Sequence, residues 1–242
     1  MLGLPEGTEA LLFDLDGVLT KTAVVHTAAW KAMFDAFLAG RGLPEFTEAD
    51  YLEYVDGKPR PDGITSFLAS RGIVLPVGAP DDPAEAETVH GLGARKNALV
   101  LEIIDRDGVE AYDDAVVYLD AAAKAGAHLA VVSSSANCRR VLEVAGLASR
   151  FPLVVDGVVI AREGIRGKPA PDCFLLAARE LGVAPANAAV FEDALSGVNA
   201  ARDGAFGTVV GVNRVDAATG EALARGGATI VVSTLTELLE PA

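Results

Sequence analysis

Short, continuous runs of apolar and β-branched residues recur along the chain, and small or polar residues follow each of them. The runs are 10–14 (ALLFD), 128–135 (HLAVVSSS), 188–193 (AAVFED), 207–212 (GTVVGV) and 228–233 (ATIVVS). Because the hydrophobicity is continuous rather than alternating, each run predicts a strand that is buried on both faces. Such strands are typical of a parallel sheet covered by helices.

Segments between these runs carry apolar residues at helical spacing. Examples are 137–147 (NCRRVLEVAGL) and 170–183 (APDCFLLAARELGV), and each closes near a glycine suited to a helix C-terminus. The alternation predicts an α/β core built on a doubly wound, Rossmann-like parallel sheet. In such a sheet ligands bind outside the carboxyl ends of the strands, so we expect Asp14, Ser133 and Asp193 to converge there.

Residues 22–107 interrupt the alternation. No strand pattern separates their helix-like stretches, which are 26–42, 62–72 and 95–108. A helical block between the first strand and the rest of the sheet predicts an inserted helical domain, with 1–21 and 108–242 forming the core. Within the block, 78–87 (GAPDDPAEAE) is acidic and Pro-rich, which predicts a surface loop.

Composition narrows the class of partners. Of the 242 residues, 51% are hydrophobic and 22% are charged, and the formal net charge is −14. This charge disfavours nucleic acids and anionic membrane surfaces, because both attract clustered Lys and Arg. An acidic chain can still bind an anionic substrate where a metal ion and a few cations reverse the local sign.

Cysteine usage and the hydropathy pattern bear on the compartment. Cys138 and Cys173 are too few for a disulfide framework or a thiolate metal site. The first ten residues show no basic stretch followed by an apolar run, and no segment reaches the ~20 apolar residues of a membrane-spanning helix. We expect a cytoplasmic protein that acts on a small molecule and has no obligate protein partner.

Two carboxylates, Asp14 and Asp16, follow the first predicted strand and precede Gly17. Alternate side chains of extended backbone share a face, so both acids can point into one crevice. The pattern permits three interpretations. It is a turn with a helix cap, a site for Mg²⁺, or a nucleophilic carboxylate beside an acid–base partner.

Three further segments at predicted strand ends bear on this choice. VVSSSAN supplies hydroxyl and N–H groups suited to phosphate oxygens, GKPAPD supplies Lys168, and FEDALSG supplies Glu192 and Asp193. Alone, each has a structural explanation as a Ser-rich loop, a surface lysine or a helix N-cap. Their occurrence together, all at strand ends, favours a chemical site.

The motifs DLDGVLT, VVSSS, GKPAPD and FEDALSG together resemble those of the haloacid dehalogenase-like phosphotransferase superfamily. The resemblance covers essentially the whole chain, because the helical block matches that family's cap-domain insertion. It implies that Asp14 is the nucleophile, which forms an aspartyl-phosphate, and that Asp16 is the general acid/base. It also implies that Ser133 and Lys168 bind the transferring phosphoryl group.

The same resemblance implies a Mg²⁺ cofactor. The ion would be held by Asp14, the backbone carbonyl of Asp16, and Asp193, with Glu192 in support. Mg²⁺ and Lys168 would neutralise the charge that builds up when a phosphoryl group approaches a carboxylate. The second aspartate counts against dehalogenation, which needs no such acid/base partner.

Within the superfamily, the chain resembles the β-phosphoglucomutase family. The residues that match are Thr22, Ala23, His26, Ala29 and Trp30 in the first cap helix, Gly57 and Arg60 in a G-x-x-R loop, Arg95, Lys96 and Asn97 in an R-K-N triplet, and Ser133, Ser135 and Asn137 in an S-x-S-x-N loop. The triplet is predicted at the start of a helix. Lys21 and Ala136 depart from the family pattern, which usually has an acid and a lysine there.

This second resemblance implies roles in substrate binding. Arg60 would bind the phosphate that is not transferred, Lys96 would contact sugar oxygens, and His26 would couple cap closure to the position of Asp16. The other implied substrate-binding residues are Trp30, Gly57, Asn97, Ser135 and Asn137. The superfamily resemblance also implies a cis peptide between Lys168 and Pro169.

Three functions remain open at the level of sequence. The leading hypothesis is a mutase that converts β-glucose 1-phosphate to glucose 6-phosphate through the 1,6-bisphosphate. The others are a phosphatase acting on a small sugar phosphate or phosphoglycolate, and a non-catalytic binding protein of the same fold. Arg60 and the R-K-N triplet favour the mutase, because a hydrolase needs no second phosphate site.

Overall fold

The computed structural model describes residues 2–239, so the ends of the predicted core at Met1 and 240–242 lie outside the described residues. The chain divides into two units, of which one comprises Met1–Lys21 and Val109–Ala242 and the other Thr22–Gly108. Gly108, assigned to the core from the sequence, lies in the second unit.

The second unit is helical. Its helices are α1 (Ala23–Ala39), α2 (Glu48–Asp50), α3 (Arg60–Ser70) and α4 (Val89–Asp107). A π-helical turn, Tyr51–Val55, continues α2. The acidic stretch 78–87 forms turns and loop between α3 and α4, as its composition predicted.

Aromatic packing holds the helical unit together. The buried ring of Phe34 on α1 lies 5.3 Å from Trp30, 5.0 Å from Phe46 and 4.3 Å from Phe67, measured between ring centroids. Stacked and tilted aromatic pairs each add about 0.5–1.5 kcal/mol beyond the burial of their area. Phe34 is therefore the centre of this core.

Helices of this unit begin earlier than the sequence reading placed them, and this corrects two expectations. The R-K-N triplet does not start a helix, because α4 begins at Val89 and Thr88 caps it by accepting from the Gly91 N–H at 3.0 Å. Arg60 is not in a loop but is the first residue of α3. Pro61 suits the next position, where its missing N–H costs no helical hydrogen bond.

The first unit contains the parallel sheet. Between residues 2 and 239 its strands are β1 (Ala10–Phe13), β2 (His128–Val132), β3 (Leu153–Val155), β4 (Ala188–Glu192), β5 (Thr208–Val212) and β6 (Ile230–Val232). They are ordered β3-β2-β1-β4-β5-β6, and neighbouring strands run parallel. The doubly wound sheet predicted from the apolar runs is thereby confirmed.

Helices connect these strands. They are α5 (Asp113–Lys124), α6 (Cys138–Val144), α7 (Gly157–Glu163), α8 (Asp172–Leu181), α9 (Leu195–Asp203) and α10 (Ala217–Gly226). Strand β1 lies at the centre of the sheet, where the ring of Phe13 stacks on Phe191 at 4.3 Å. The register aligns Phe13 with Val131 of β2 and Phe191 of β4, so the residues that follow these three strands meet at one edge.

None of the helices described between Leu2 and Leu239 combines the length and apolar character needed to cross a membrane.

Replacing Phe34 by alanine is expected to destabilise the helical unit by about 3–5 kcal/mol, because the ring is fully buried and packs against three others. Urea unfolding gives the change in the free energy of unfolding. It is followed through the fluorescence of Trp30, the single tryptophan of the sequence, whose ring stacks on Phe34. Val74→Ala is the matched control, since Val74 is 90% exposed. If Phe34→Ala lowers the free energy of unfolding no more than Val74→Ala does, the result would contradict the packing described.

Candidate active site

Lys168 and Asp14 form the centre of the site. Asp14 follows β1. Lys168 lies in the loop between α7 and α8 and not at the end of a strand, which corrects the expectation for GKPAPD. The Lys168 ammonium donates to Asp14 Oδ1 at 2.6 Å and to the Val132 carbonyl at 2.9 Å, and its Nζ lies 2.6 Å from Glu192 Oε1 in an ion pair. The lysine is 1% exposed. The buried ammonium offsets the desolvation cost of burying the carboxylates of Asp14 and Glu192.

Lys168 is protonated and positively charged at neutral pH. Burial by itself lowers the pKa of Lys168, but the charges of Asp14 and Glu192 outweigh it and raise the pKa above its ordinary value. The peptide between Lys168 and Pro169 is cis, as the sequence predicted. The lysine is therefore a fixed positive charge beside the Asp14 carboxylate.

Glu192 ends β4 and is 1% exposed. Burial raises the pKa of Glu192 to about 7, although the ammonium of Lys168 lowers it in opposition. The second carboxylate oxygen accepts from the Ala194 N–H at 3.1 Å. Gly197 lies against this side chain, because a Cβ at that position would come within 1.8 Å of Glu192 Oε1. Glycine at 197 leaves the space that the glutamate occupies.

Three carboxylates form a cluster that could hold a metal ion. Asp14, Glu192 and Asp193 each offer one oxygen, and these oxygens lie within 4.8 Å of one another. Gly17 makes room for the cluster, since its φ is +88° and a Cβ there would lie 1.9 Å from Asp193 Oδ2. Carboxylate oxygens are the protein ligands that Mg²⁺ prefers, so the donor set fits this ion. Coordination by the Asp16 carbonyl remains a prediction.

The turn that carries Asp16 is closed by Thr20. The hydroxyl of Thr20 donates to the Leu15 carbonyl at 3.2 Å, and the Thr20 carbonyl accepts from the Gly17 N–H at 2.8 Å. Thr20 is fully buried. Thr20 lies within the DLDGVLT motif, but the sequence pattern alone did not indicate a role for it. A hydroxyl residue among buried apolar neighbours was the signal that could have indicated one.

Ser133 follows β2 and is 1% exposed. Its hydroxyl oxygen accepts from the Ser135 N–H at 3.1 Å, and the Ser135 hydroxyl accepts from the Asn137 N–H at 3.2 Å. Ser133 directly follows Val132, whose carbonyl binds Lys168. The serine loop therefore begins at the same sheet edge as Asp14, as the strand-end argument predicted.

In the helical unit, Lys96 brings two predicted residues together. Its ammonium lies 2.6 Å from His26 Nδ1 and 4.9 Å from the centre of the Trp30 ring, and the lysine is 3% exposed. Burial, followed by the charges of Lys96 and Arg60, lowers the pKa of His26 well below its ordinary value. A neutral imidazole accepts at one ring nitrogen, and an ammonium can only donate, so Nδ1 is the acceptor here.

Arg60 is tied to α4. Its guanidinium donates to Asn97 Oδ1 at 2.8 Å and to the Gly93 carbonyl at 3.3 Å. Gly93 leaves room for the arginine stem, because a Cβ there would lie 3.2 Å from Arg60 Cδ. Gly57, three residues earlier, has a φ of +67° in the turn before α3. Arg95 instead bonds the carbonyls of Ala84 and Ala86 and so anchors the acidic loop.

The geometry thus forms two groups, each within its own unit. The core group comprises Asp14, Asp16, Ser133, Ser135, Asn137, Lys168, Glu192 and Asp193, and the helical group comprises His26, Trp30, Gly57, Arg60, Lys96 and Asn97. The first group combines a held carboxylate, a fixed cation and a donor set for a hard metal. These are the parts required to move a phosphoryl group through an aspartyl intermediate.

Comparison with known proteins agrees with this chemistry. The model of the haloacid dehalogenase-like hydrolase family matches residues 8–204. A β-phosphoglucomutase of Mycobacterium tuberculosis is 56% identical over 247 aligned residues, which cover 99% of this chain and 94% of that protein. A fructose-1-phosphate phosphatase of Escherichia coli is 30% identical over 79% of this chain and 90% of its own length.

Among solved structures, a β-phosphoglucomutase of Clostridium difficile superposes with a TM-score of 0.73 at 26% identity. The alignment covers 95% of this chain and 92% of that one. The matches extend through both units, so the resemblance is not confined to the motifs of the core. This chain belongs to the haloacid dehalogenase-like superfamily and, within it, to the β-phosphoglucomutase-like subfamily.

Proposed function

We propose that this protein is a Mg²⁺-dependent phosphotransferase acting on sugar phosphates, and specifically a β-phosphoglucomutase. It would convert β-glucose 1-phosphate to glucose 6-phosphate through the 1,6-bisphosphate. The observation that carries the proposal is the group around Asp14, in which a buried lysine and two further carboxylates surround a single reactive acid. The 56% identity to a mycobacterial β-phosphoglucomutase supports the choice of reaction.

Asp14 is the nucleophile in this proposal. Its carboxylate attacks phosphorus, the bond from phosphorus to the leaving oxygen breaks, and an aspartyl-phosphate results. Lys168, 2.6 Å from Asp14 Oδ1, holds the carboxylate and places a positive charge where negative charge accumulates. Ser133 lies at the same sheet edge and would donate to the phosphoryl oxygens.

Asp16 is the general acid/base. It would give a proton to the departing sugar oxygen and, when the phosphoryl group returns, take one from the attacking hydroxyl. Thr20 fixes the turn that carries it. Asp14, Asp193 and the Asp16 carbonyl would hold Mg²⁺ with support from Glu192, and the bound ion supplies charge neutralisation at the phosphoryl oxygens.

The helical unit would recognise the rest of the substrate. Arg60 carries a guanidinium suited to bidentate phosphate binding, and Asn97 orients it at 2.8 Å. Lys96 would contact the sugar oxygens beside His26 and Trp30. We propose these roles, and those of Gly57, Ser135 and Asn137, because a bisphosphate intermediate has a second phosphate that a mutase must bind.

The second candidate function is a phosphatase that hydrolyses a small sugar phosphate. The similarity to a fructose-1-phosphate phosphatase favours it. The two candidates differ in the fate of the aspartyl-phosphate, since hydrolysis needs water whereas a mutase must exclude it. Two buried free cysteines suit the reducing cytoplasm that we propose for either enzyme.

Replacing Asp14 by asparagine is expected to lower the rate of glucose 6-phosphate formation by at least about a thousandfold, because the amide cannot form the aspartyl-phosphate. The assay supplies β-glucose 1-phosphate with a trace of the 1,6-bisphosphate and Mg²⁺. Asp120→Asn is the matched control, as Asp120 pairs with Arg150 on the surface. An unaffected Asp14 variant would contradict the assignment of the nucleophile.

Replacing Arg60 by alanine tests mutase against phosphatase. Loss of the second phosphate contact is expected to lower isomerisation about ten- to a hundredfold while release of inorganic phosphate falls less. Both products are measured in the same reaction. Arg41→Ala is the control, because Arg41 pairs with Glu87 elsewhere in the helical unit. Phosphate release without isomerisation by the unaltered protein would make it a phosphatase.

Mg²⁺ is expected to raise the melting temperature of protein first stripped with EDTA, because an ion that binds the folded state stabilises it. At a hundred times the dissociation constant the gain is about 2.7 kcal/mol. Asp193→Asn removes one of the clustered oxygens and should abolish most of the shift. The exposed Asp203→Asn is the control. Equal shifts in the two variants would be inconsistent with a metal site at Asp193.

A further inference from the structure

Arg214 reaches the turn that follows Asp16. It lies two residues beyond the end of β5, and its guanidinium donates from Nε to the Gly17 carbonyl at 2.9 Å and from Nη2 to the Val18 carbonyl at 3.2 Å. No motif of the sequence includes Arg214. These two carbonyls belong to the segment between Asp16 and Thr20, so the arginine binds the catalytic turn directly.

The guanidinium is itself held in place. Its Nη1 and Nη2 donate to the two carboxylate oxygens of Asp114, at 3.2 Å and 2.9 Å, and its Cζ lies 3.6 Å from the centre of the Tyr112 ring. Asp114 also accepts from the Leu235 N–H at 2.7 Å. The side chains of Arg214 and Asp114 are 13% and 14% exposed. A shielded, bidentate pair of this kind fixes orientation better than an exposed one.

The turn held by Arg214 has little freedom on its other side. Gly17 approaches Asp193 so closely that a Cβ would lie 1.9 Å from Asp193 Oδ2. The Gly17 N–H donates to the Thr20 carbonyl, which closes the turn. Gly17 therefore lies between the Asp193 carboxylate, a member of the cluster that could hold Mg²⁺, and the guanidinium. Arg214 thus holds the two peptide carbonyls that directly follow Asp16 in the chain.

We propose that Arg214 is a positioning residue for phosphoryl transfer, which sets the placement of Asp16 by binding the carbonyls of Gly17 and Val18. This inference rests on the proposed function, because it assumes that Asp16 transfers the proton. Lysine could supply the charge at this position but not the planar fork that serves two carbonyls and a carboxylate together. The arginine should therefore affect turnover more than substrate affinity.

The test compares Arg214→Ala and Arg214→Lys with Arg202→Ala. Arg202 is a matched arginine of the same unit, which bonds the Gly226 carbonyl at 2.7 Å and Asn199 at 3.1 Å and pairs with Asp203. A misplaced catalytic group costs up to about a hundredfold in rate, so Arg214→Ala should lower kcat about ten- to a hundredfold with a smaller change in KM. Arg214→Lys should restore only part of kcat.

Two further measurements distinguish a positioning role of Arg214 from a loss of folding in its variants. The melting temperature of each variant is measured, and guanidinium at a sub-denaturing concentration is added to Arg214→Ala and Arg202→Ala. Partial recovery of kcat in the Arg214 variant alone is expected. If Arg214→Ala does not fold, Arg214→Lys and Asp114→Asn provide the same comparison, since Asp114 orients the guanidinium.

The outcomes distinguish the two claims. One outcome is that the unaltered protein turns over substrate and the Arg214 variants lose no more kcat than Arg202→Ala does. This result would overturn the role of Arg214 and leave the proposed function intact. A rise in KM with an unchanged kcat would also overturn it. Absence of turnover by the unaltered protein with every sugar phosphate and Mg²⁺ would overturn the proposed function, and this inference with it.

Discussion

The ion pair between Lys168 and Asp14 is the constraint on which the site depends. A carboxylate at the end of the central strand β1 is costly to bury, and the ammonium compensates it while also meeting Glu192. The same contact holds the carboxylate of Asp14, the proposed nucleophile, at 2.6 Å from the ammonium. The ammonium that stabilises the buried carboxylates is therefore the same group that we propose to neutralise charge on the transferring phosphoryl group.

Two glycines show how closely the backbone surrounds these acids. Gly17 lies against Asp193 and Gly197 lies against Glu192, each without space for a Cβ. The carboxylates converge because parallel strands end at the same sheet edge, and the glycines allow the backbone to approach them. The order of the strands, as well as the four motifs, therefore determines where the side chains of the site meet.

Sequence reasoning identified the sheet and the core residues because continuous apolar runs and strand-end motifs are local signals. It missed β3, whose three residues make too short a run to recognise. It placed the R-K-N triplet at a helix start because it did not recognise the helix cap at Thr88, which lies seven residues before Arg95. It could not identify Arg214, since contacts between residues 17 and 214 depend on tertiary packing that no spacing in the chain encodes.

The antiparallel bridge between Thr20 and Ala111 joins the two places where the chain leaves and re-enters the core. The entropic cost of closing a loop between two paired ends grows only slowly with its length, by about 0.6 kcal/mol for each doubling, so a longer insertion adds little to it. The core can therefore accept helical inserts of different size or sequence at this point without rearranging its strands. Substrate range can diversify in such an architecture while the phosphoryl chemistry stays unchanged.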